Sequence, residues 1–138
     1  MADHIVTTRF EGGMTFKSEL DNHIIIIDTP ENDGGSDLGP RPKKLMLSSL
    51  AGCSGIDVVS MLNKMRVPFS NFSMDVEANL TKEAPKTYNW VKITYRIHVK
   101  EEDQDKVRRA VKMSKEQYCG VSAMFAKFAE MEDEIVFL

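Results

Sequence analysis

The residue pattern predicts an α+β fold in which antiparallel sheets surround a long buried central helix. Two observations carry this. Segments that alternate apolar and polar residues lie on either side of one unbroken run, Pro42 to about Pro68, that is almost entirely apolar or small. The resulting order of strands, helix, hairpin, helices and a last strand belongs to the α+β class.

The first thirty residues read as a three-stranded meander. Ile5–Phe10 and Met14–Leu20 flank Glu11-Gly12-Gly13, a turn in which glycine supplies positive φ. Ile24–Ile27 is a β-branched run suited to a strand covered on both faces. Residues 29–41 hold prolines, glycines and aspartates and read as a mobile loop. Pro42 then fits the first turn of a helix, where its missing N–H costs nothing. About twenty helical residues span about 30 Å, comparable to the diameter of a small domain. Phe69–Leu80 and Trp90–Lys100 alternate as a hairpin with one wet face. Residues 101–117 read as a surface helix with acid-to-base pairs Glu102/Lys106 and Asp105/Arg109 four apart. Val121, Met124, Phe125 and Phe128 mark a last helix, and Glu134–Leu138 a final strand.

A chain of 138 residues is expected to form a single domain, residues 1–138. So small a domain has few elements with which to enclose an apolar rod on every side. Ser48, Gly52 and Gly55 form a ridge of small side chains on that rod, so a second copy packed there, an intimate homodimer, is expected. The net charge of −3, with basic residues scattered, argues against nucleic acid as a partner. Neither a leader nor a membrane span is expected. The N-terminus lacks a cationic and a long apolar region, and the run 45–62 carries Asp57, two glycines and four serines. Two well-separated cysteines suit a reducing cytoplasm rather than a disulfide scaffold.

Three residues stand out chemically. Cys53 sits mid-helix with Ser49 at i−4, Asp57 at i+4 and Ser60 at i+7 on the same face. It is read either as a small core residue or as a reactive thiol. Asp57 inside an apolar helix calls for a cation or several donors, which is the mark of a site or of an ion pair across a dimer. Cys119 precedes the last helix, where free N–H groups favour a thiolate; if the fold brings it to Cys53, an attacking and a resolving thiol become available. His4, His23 and His98 have no partner at ligand spacing, so no metal is expected. No glycine pair opens a helix as a phosphate loop requires, and no cofactor is expected.

The stretch from Gly39 through Leu62, with Pro42 ahead of Cys53 and Ile56-Asp57-Val58-Val59 after it, together with Tyr118-Cys119-Gly120-Val121-Ser122, resembles the OsmC/Ohr family. Within it, the YhfA-like branch is most similar. The resemblance implies an intertwined homodimer with two interfacial sites and a thiol-dependent peroxidase that reduces organic hydroperoxides. Cys53 then corresponds to the peroxidatic thiol and Cys119 to the resolving thiol, with an external dithiol as reductant. Two positions depart from the family pattern. Lys43 stands where a glutamate follows the proline, and Met14 where the first hairpin carries an arginine, with Arg9 nearby in sequence. Lys43, Arg9 and Asp57 are therefore the candidate binding residues around Cys53. The alternative is a non-enzymatic protein that binds an apolar or thiol-bearing small molecule in the same cleft.

Overall fold

A computed structural model describes all residues from 1 to 138. The chain divides into two compact units, residues 1–46 and 47–138.

In the first unit, strands β1 (Thr7–Gly12), β2 (Thr15–Leu20) and β3 (His23–Ile27) form an antiparallel meander in the order β1-β2-β3. The predicted glycine turn is present, with φ of 105° at Gly12 and 56° at Gly13, values that side chains with a Cβ resist. Phe10 and Phe16 face each other across β1 and β2, their rings 5.4 Å apart. The apolar run of β3 is less enclosed within this chain than expected. Ile24 is exposed and Ile25–Ile27 are half-buried, because β3 is an edge strand with β2 as its one neighbour.

The segment after β3 is ordered by one side chain. Asp28 is fully buried, and its carboxylate accepts from the Thr15 hydroxyl (2.8 Å) and from the N–H groups of Thr29 (2.7 Å), Ser36 (3.3 Å) and Leu38 (3.2 Å). Its own N–H donates to the Pro40 carbonyl at 3.2 Å. The loop thus wraps around the carboxylate through a short 3-10 turn at Glu31–Asp33. It packs so closely that a Cβ at Gly35 would overlap the Thr29 carbonyl and one at Gly39 the Ile26 carbonyl.

Helix α1 runs Pro42–Lys64, with proline in the first turn as expected. In the second unit it is followed by β4 (Ser70–Leu80), β5 (Tyr88–His98), α2 (Gln104–Met113), α3 (Gly120–Phe125) and β6 (Glu130–Phe137). Leu50, Ser54, Val58 and Leu62 are the buried positions of α1. Four-residue spacing aligns them in one stripe, and the three apolar ones join Val91, Ile93, Tyr95 and Ile97 of β5 in the core. The expectation of a helix enclosed on every side is not met within one chain: Gly52 is exposed and Ile56 is 72% exposed.

Strand β4 alternates as predicted, with Phe72, Met74, Val76 and Ala78 turned towards the core and the intervening polar residues exposed. β5 lies between β4, antiparallel, and β6, parallel. A parallel neighbour requires a crossover, which α2 and α3 supply. β6 begins earlier than predicted because its acidic residues, which read as loop, are partnered. Glu134 meets Lys92 at 2.9 Å, Glu132 accepts from the Trp90 indole at 2.9 Å, and Asp133 meets Lys115 at 3.1 Å.

The predicted surface helix over 101–117 is three pieces: a 3-10 turn (Glu101–Asp103), α2, and a π-helical turn (Ser114–Tyr118). Its ion pairs run three apart rather than four. Asp105 meets Arg108 at 2.6 Å and Asp103 meets Lys106 at 3.5 Å. Arg109 is thereby left to another role. The last helix stops at Phe125, and Phe128 from the following turn meets the Phe125 ring at a tilt of 45°, centroids 5.0 Å apart.

Candidate functional site

Cys53 lies on α1 beside the buried stripe, and Asp57 follows one turn later on the same face. The π-turn delivers Cys119 to them: its wider winding lets the Cys119 N–H bond the Ser114 carbonyl, five residues back, at 2.8 Å. The two sulfurs and an Asp57 oxygen all lie within 4.8 Å of one another, and both cysteines are free. Thiols remote along the chain have thus become neighbours.

Hydrogen bonds hold each member. Cys119, buried, caps α3: its sulfur accepts from the Ser122 N–H at 3.2 Å and from the Ser54 hydroxyl at 3.4 Å. Ser54 also bonds the buried Tyr95 phenol, whose pKa is pushed up to about 12 chiefly by burial. Asp57 accepts from the hydroxyl of the fully buried Ser114 at 2.9 Å. Cys53 is half-buried and is the more accessible sulfur. Burial pushes its pKa up, helped by its hydrogen bond with Cys119 and by the negative charges of Cys119 and Asp57, while the Val121 N–H pulls the other way.

An open pocket of ≈ 550 Å³ adjoins the group through Asp57. Met61, Met65, Met113 and Tyr118 supply apolar wall, and Lys64 and Arg109 supply positive charge. A second, shallower groove of ≈ 780 Å³ runs along α1 over Ser48, Gly52, Gly55, Ile56 and Val59 to Phe72 and Met74 of β4. It contains the predicted small-residue ridge.

Of the candidate site residues, the structure brings together Cys53, Cys119 and Asp57. Lys43 is exposed in the first turn of α1, nearly three helical turns before Cys53. Arg9 is exposed on β1 with its charge matched by Glu19 at 2.6 Å. Sequence reasoning missed Ser54, Ser114, Tyr95, Lys64 and Arg109. Ser54, next to Cys53, and Lys64, two turns after Asp57 on the same helix, offered local signals; Ser114, Tyr95 and Arg109 reach the site only through tertiary structure.

Fold and cluster together define an α+β protein with a paired-thiol centre built on a long helix. The chain belongs to the OsmC-like protein family, whose model matches residues 34–132. Protein YhfA of Escherichia coli (strain K12) is 33% identical over 116 residues, covering 83% of this chain and 84% of that protein. A hypothetical protein from Aquifex aeolicus VF5 superposes with a TM-score of 0.85 at 26% identity, covering 100% of this chain and 98% of the other. An organic hydroperoxide resistance protein from Elizabethkingia anophelis shares the fold at a TM-score of 0.69 and 15% identity, covering 100% and 98% of the two chains.

Proposed function

We propose that the protein is a thiol-dependent peroxidase that reduces organic hydroperoxides, with Cys53 attacking and Cys119 resolving. The observation that carries this reading is the proximity of two free sulfurs, one accessible and one buried, beside a methionine-rich pocket. The Cys53 thiolate attacks the O–O bond, becoming a sulfenic acid and releasing the alcohol. Cys119 displaces water from that sulfenic acid to give a disulfide. One hydroperoxide and two thiols thus yield one alcohol, one water and one disulfide, and an external dithiol returns both thiols. Lys64 and Arg109 put positive charge in the pocket beside Asp57, and no cation acts on Cys53 itself in the way Arg9 and Lys43 were expected to.

One equivalent of cumene hydroperoxide, added to the reduced protein, tests this. The intact mass is expected to fall by about two units, the mark of an intramolecular disulfide. Cys53→Ser abolishes turnover, whereas Cys119→Ser leaves a trappable sulfenic acid at Cys53. An unchanged mass with Cys53 still open to alkylation overturns the reading. It would favour the second one, a small-molecule binder using the same pocket, which the raised Cys53 pKa supports because it lowers the thiolate fraction.

The working unit in this reading is a cytoplasmic homodimer that closes the α1 groove. A Cβ at Gly52 meets nothing within the chain, so Gly52→Leu leaves one copy unstrained and obstructs a second. A reduced sedimentation mass is the expected result, and an unchanged one removes the groove from the interface.

A further inference from the structure

The same cluster has a second chemistry that the peroxidase reading does not use. Two thiol sulfurs and a carboxylate oxygen within 4.8 Å of one another are a three-ligand set for a thiophilic divalent cation. Around tetrahedral zinc, with bonds of about 2.3 Å to sulfur and 2.0 Å to oxygen, ligand atoms stand roughly 3.5–3.8 Å apart. The cluster therefore needs to contract by about 1.3 Å at most, a movement within reach of side-chain rotation.

The surroundings are those of a ligand set rather than of a chance meeting. Ser114 holds one oxygen of Asp57, leaving the other to bind, and N–H groups of Ser122 and Val121 point at Cys119 and Cys53 respectively. Such outer partners orient metal ligands and temper the charge on thiolates. Asp57 makes no ion pair within the chain, so two sulfurs and a carboxylate share one small volume with no cation bonded to any of them. The expectation of no metal rested on the isolation of the histidines. The ligands gathered here are not histidines, and no local spacing joins Cys119 to the other two.

We propose that reduced Cys53, Cys119 and Asp57 bind one Zn²⁺-class ion reversibly, with the fourth position open to water or a small thiolate. Binding displaces one proton from each thiol, so two protons leave per ion and no electron moves. A sulfur whose lone pairs are held by zinc is a poorer nucleophile towards peroxide, so metal occupancy guards the thiol pair. The inference uses the site of the proposed peroxidase but does not depend on its turnover.

Co²⁺ is the probe. Titrated into the reduced full chain, it is expected to saturate at one equivalent with visible d–d bands of a tetrahedral centre and a near-ultraviolet sulfur-to-cobalt charge-transfer band, both removed by stoichiometric Zn²⁺. Cys53→Ser and Cys119→Ser each lose most of the charge-transfer intensity. Asp57→Asn keeps that band but weakens affinity by at least about tenfold. Wild-type protein that shows no thiolate band at stoichiometric Co²⁺ overturns the proposal without any variant having to fold. Equal affinity in Asp57→Asn overturns the three-ligand set. Disulfide formation with cumene hydroperoxide in metal-free protein is scored separately, so either reading can fail alone.

Discussion

Asp28 and the group formed by Cys53, Asp57 and Cys119 both place acidic side chains out of water, and the fold treats them in opposite ways. Around Asp28, the Thr15 hydroxyl and the N–H groups of Thr29, Ser36 and Leu38 converge on a single carboxylate. Burial alone would raise its pKa, yet these donors outweigh it and hold the carboxyl below its ordinary value. Around the cysteines, the Ser54 and Ser114 hydroxyls and the Ser122 and Val121 N–H groups are spread over three acidic groups. There burial prevails, and the Cys53 pKa rises. The supply of donors per acidic group separates a structural anchor from a centre left short of positive charge and open to chemistry.

The contrast is broken most severely at the anchor. Asp28→Ala orphans a buried hydroxyl and three backbone donors, so the melting temperature is expected to fall by several degrees and proteolysis to begin within residues 29–41. An unchanged melting curve would mean that the carboxylate is not what holds the loop.

Acid sharpens the same point with no mutation. Because the folded pKa of Asp28 lies below the ordinary 3.8, its contribution to stability is fully present above that value. It is lost as pH falls through the lower, folded pKa. Amide protection factors at Ser36 and Leu38, taken relative to intrinsic exchange at each pH, should therefore fall below about pH 4, and the same pH series in Asp28→Ala should show no such step.

The smallest effect is expected at the thiols. Asp57 is among the charges that raise the Cys53 pKa, so Asp57→Asn should move the pH profile of Cys53 alkylation downward and speed the reaction near neutrality. Burial, the larger cause, is untouched, so the change stays modest. A profile moved upward would show that Asp57 assists the thiolate instead.

The elements of this fold are legible in the sequence wherever one periodicity governs a segment. The Gly12-Gly13 turn, the α1 start at Pro42 and the alternation of β4 are local matters of φ, proline geometry and a pleat with one wet face. Pairing is less legible. The acidic face of β6 reads as loop until Lys92, Trp90 and Lys115 are seen opposite it, and nothing local announces that β6 runs parallel to β5. In the site, Cys53 and Asp57 are joined by helical spacing, so half of the centre can be read directly. Cys119 stood out as a residue, but its meeting with Cys53 could only be posed as a condition. Ser114, Tyr95 and Arg109 gave no signal, because each reaches the site by the path of the chain rather than by its spacing. Asp28 was hidden because a carboxylate beside a proline-rich loop is ordinary, and its importance lies in donors up to 13 residues away.

The π-turn at Ser114–Tyr118 carries one residue more than an α-turn needs just before Cys119. Removing one residue would let ordinary α-winding close the same turn, with the Cys119 N–H reaching a carbonyl four residues back instead of five. The chain beyond would keep nearly its present direction, and the second sulfur would stay close to the first. Removing two would exhaust that slack, turning the chain by about 100° about the helix axis and drawing it back by about 1.5 Å. The second sulfur would then swing away although no reactive group had been altered.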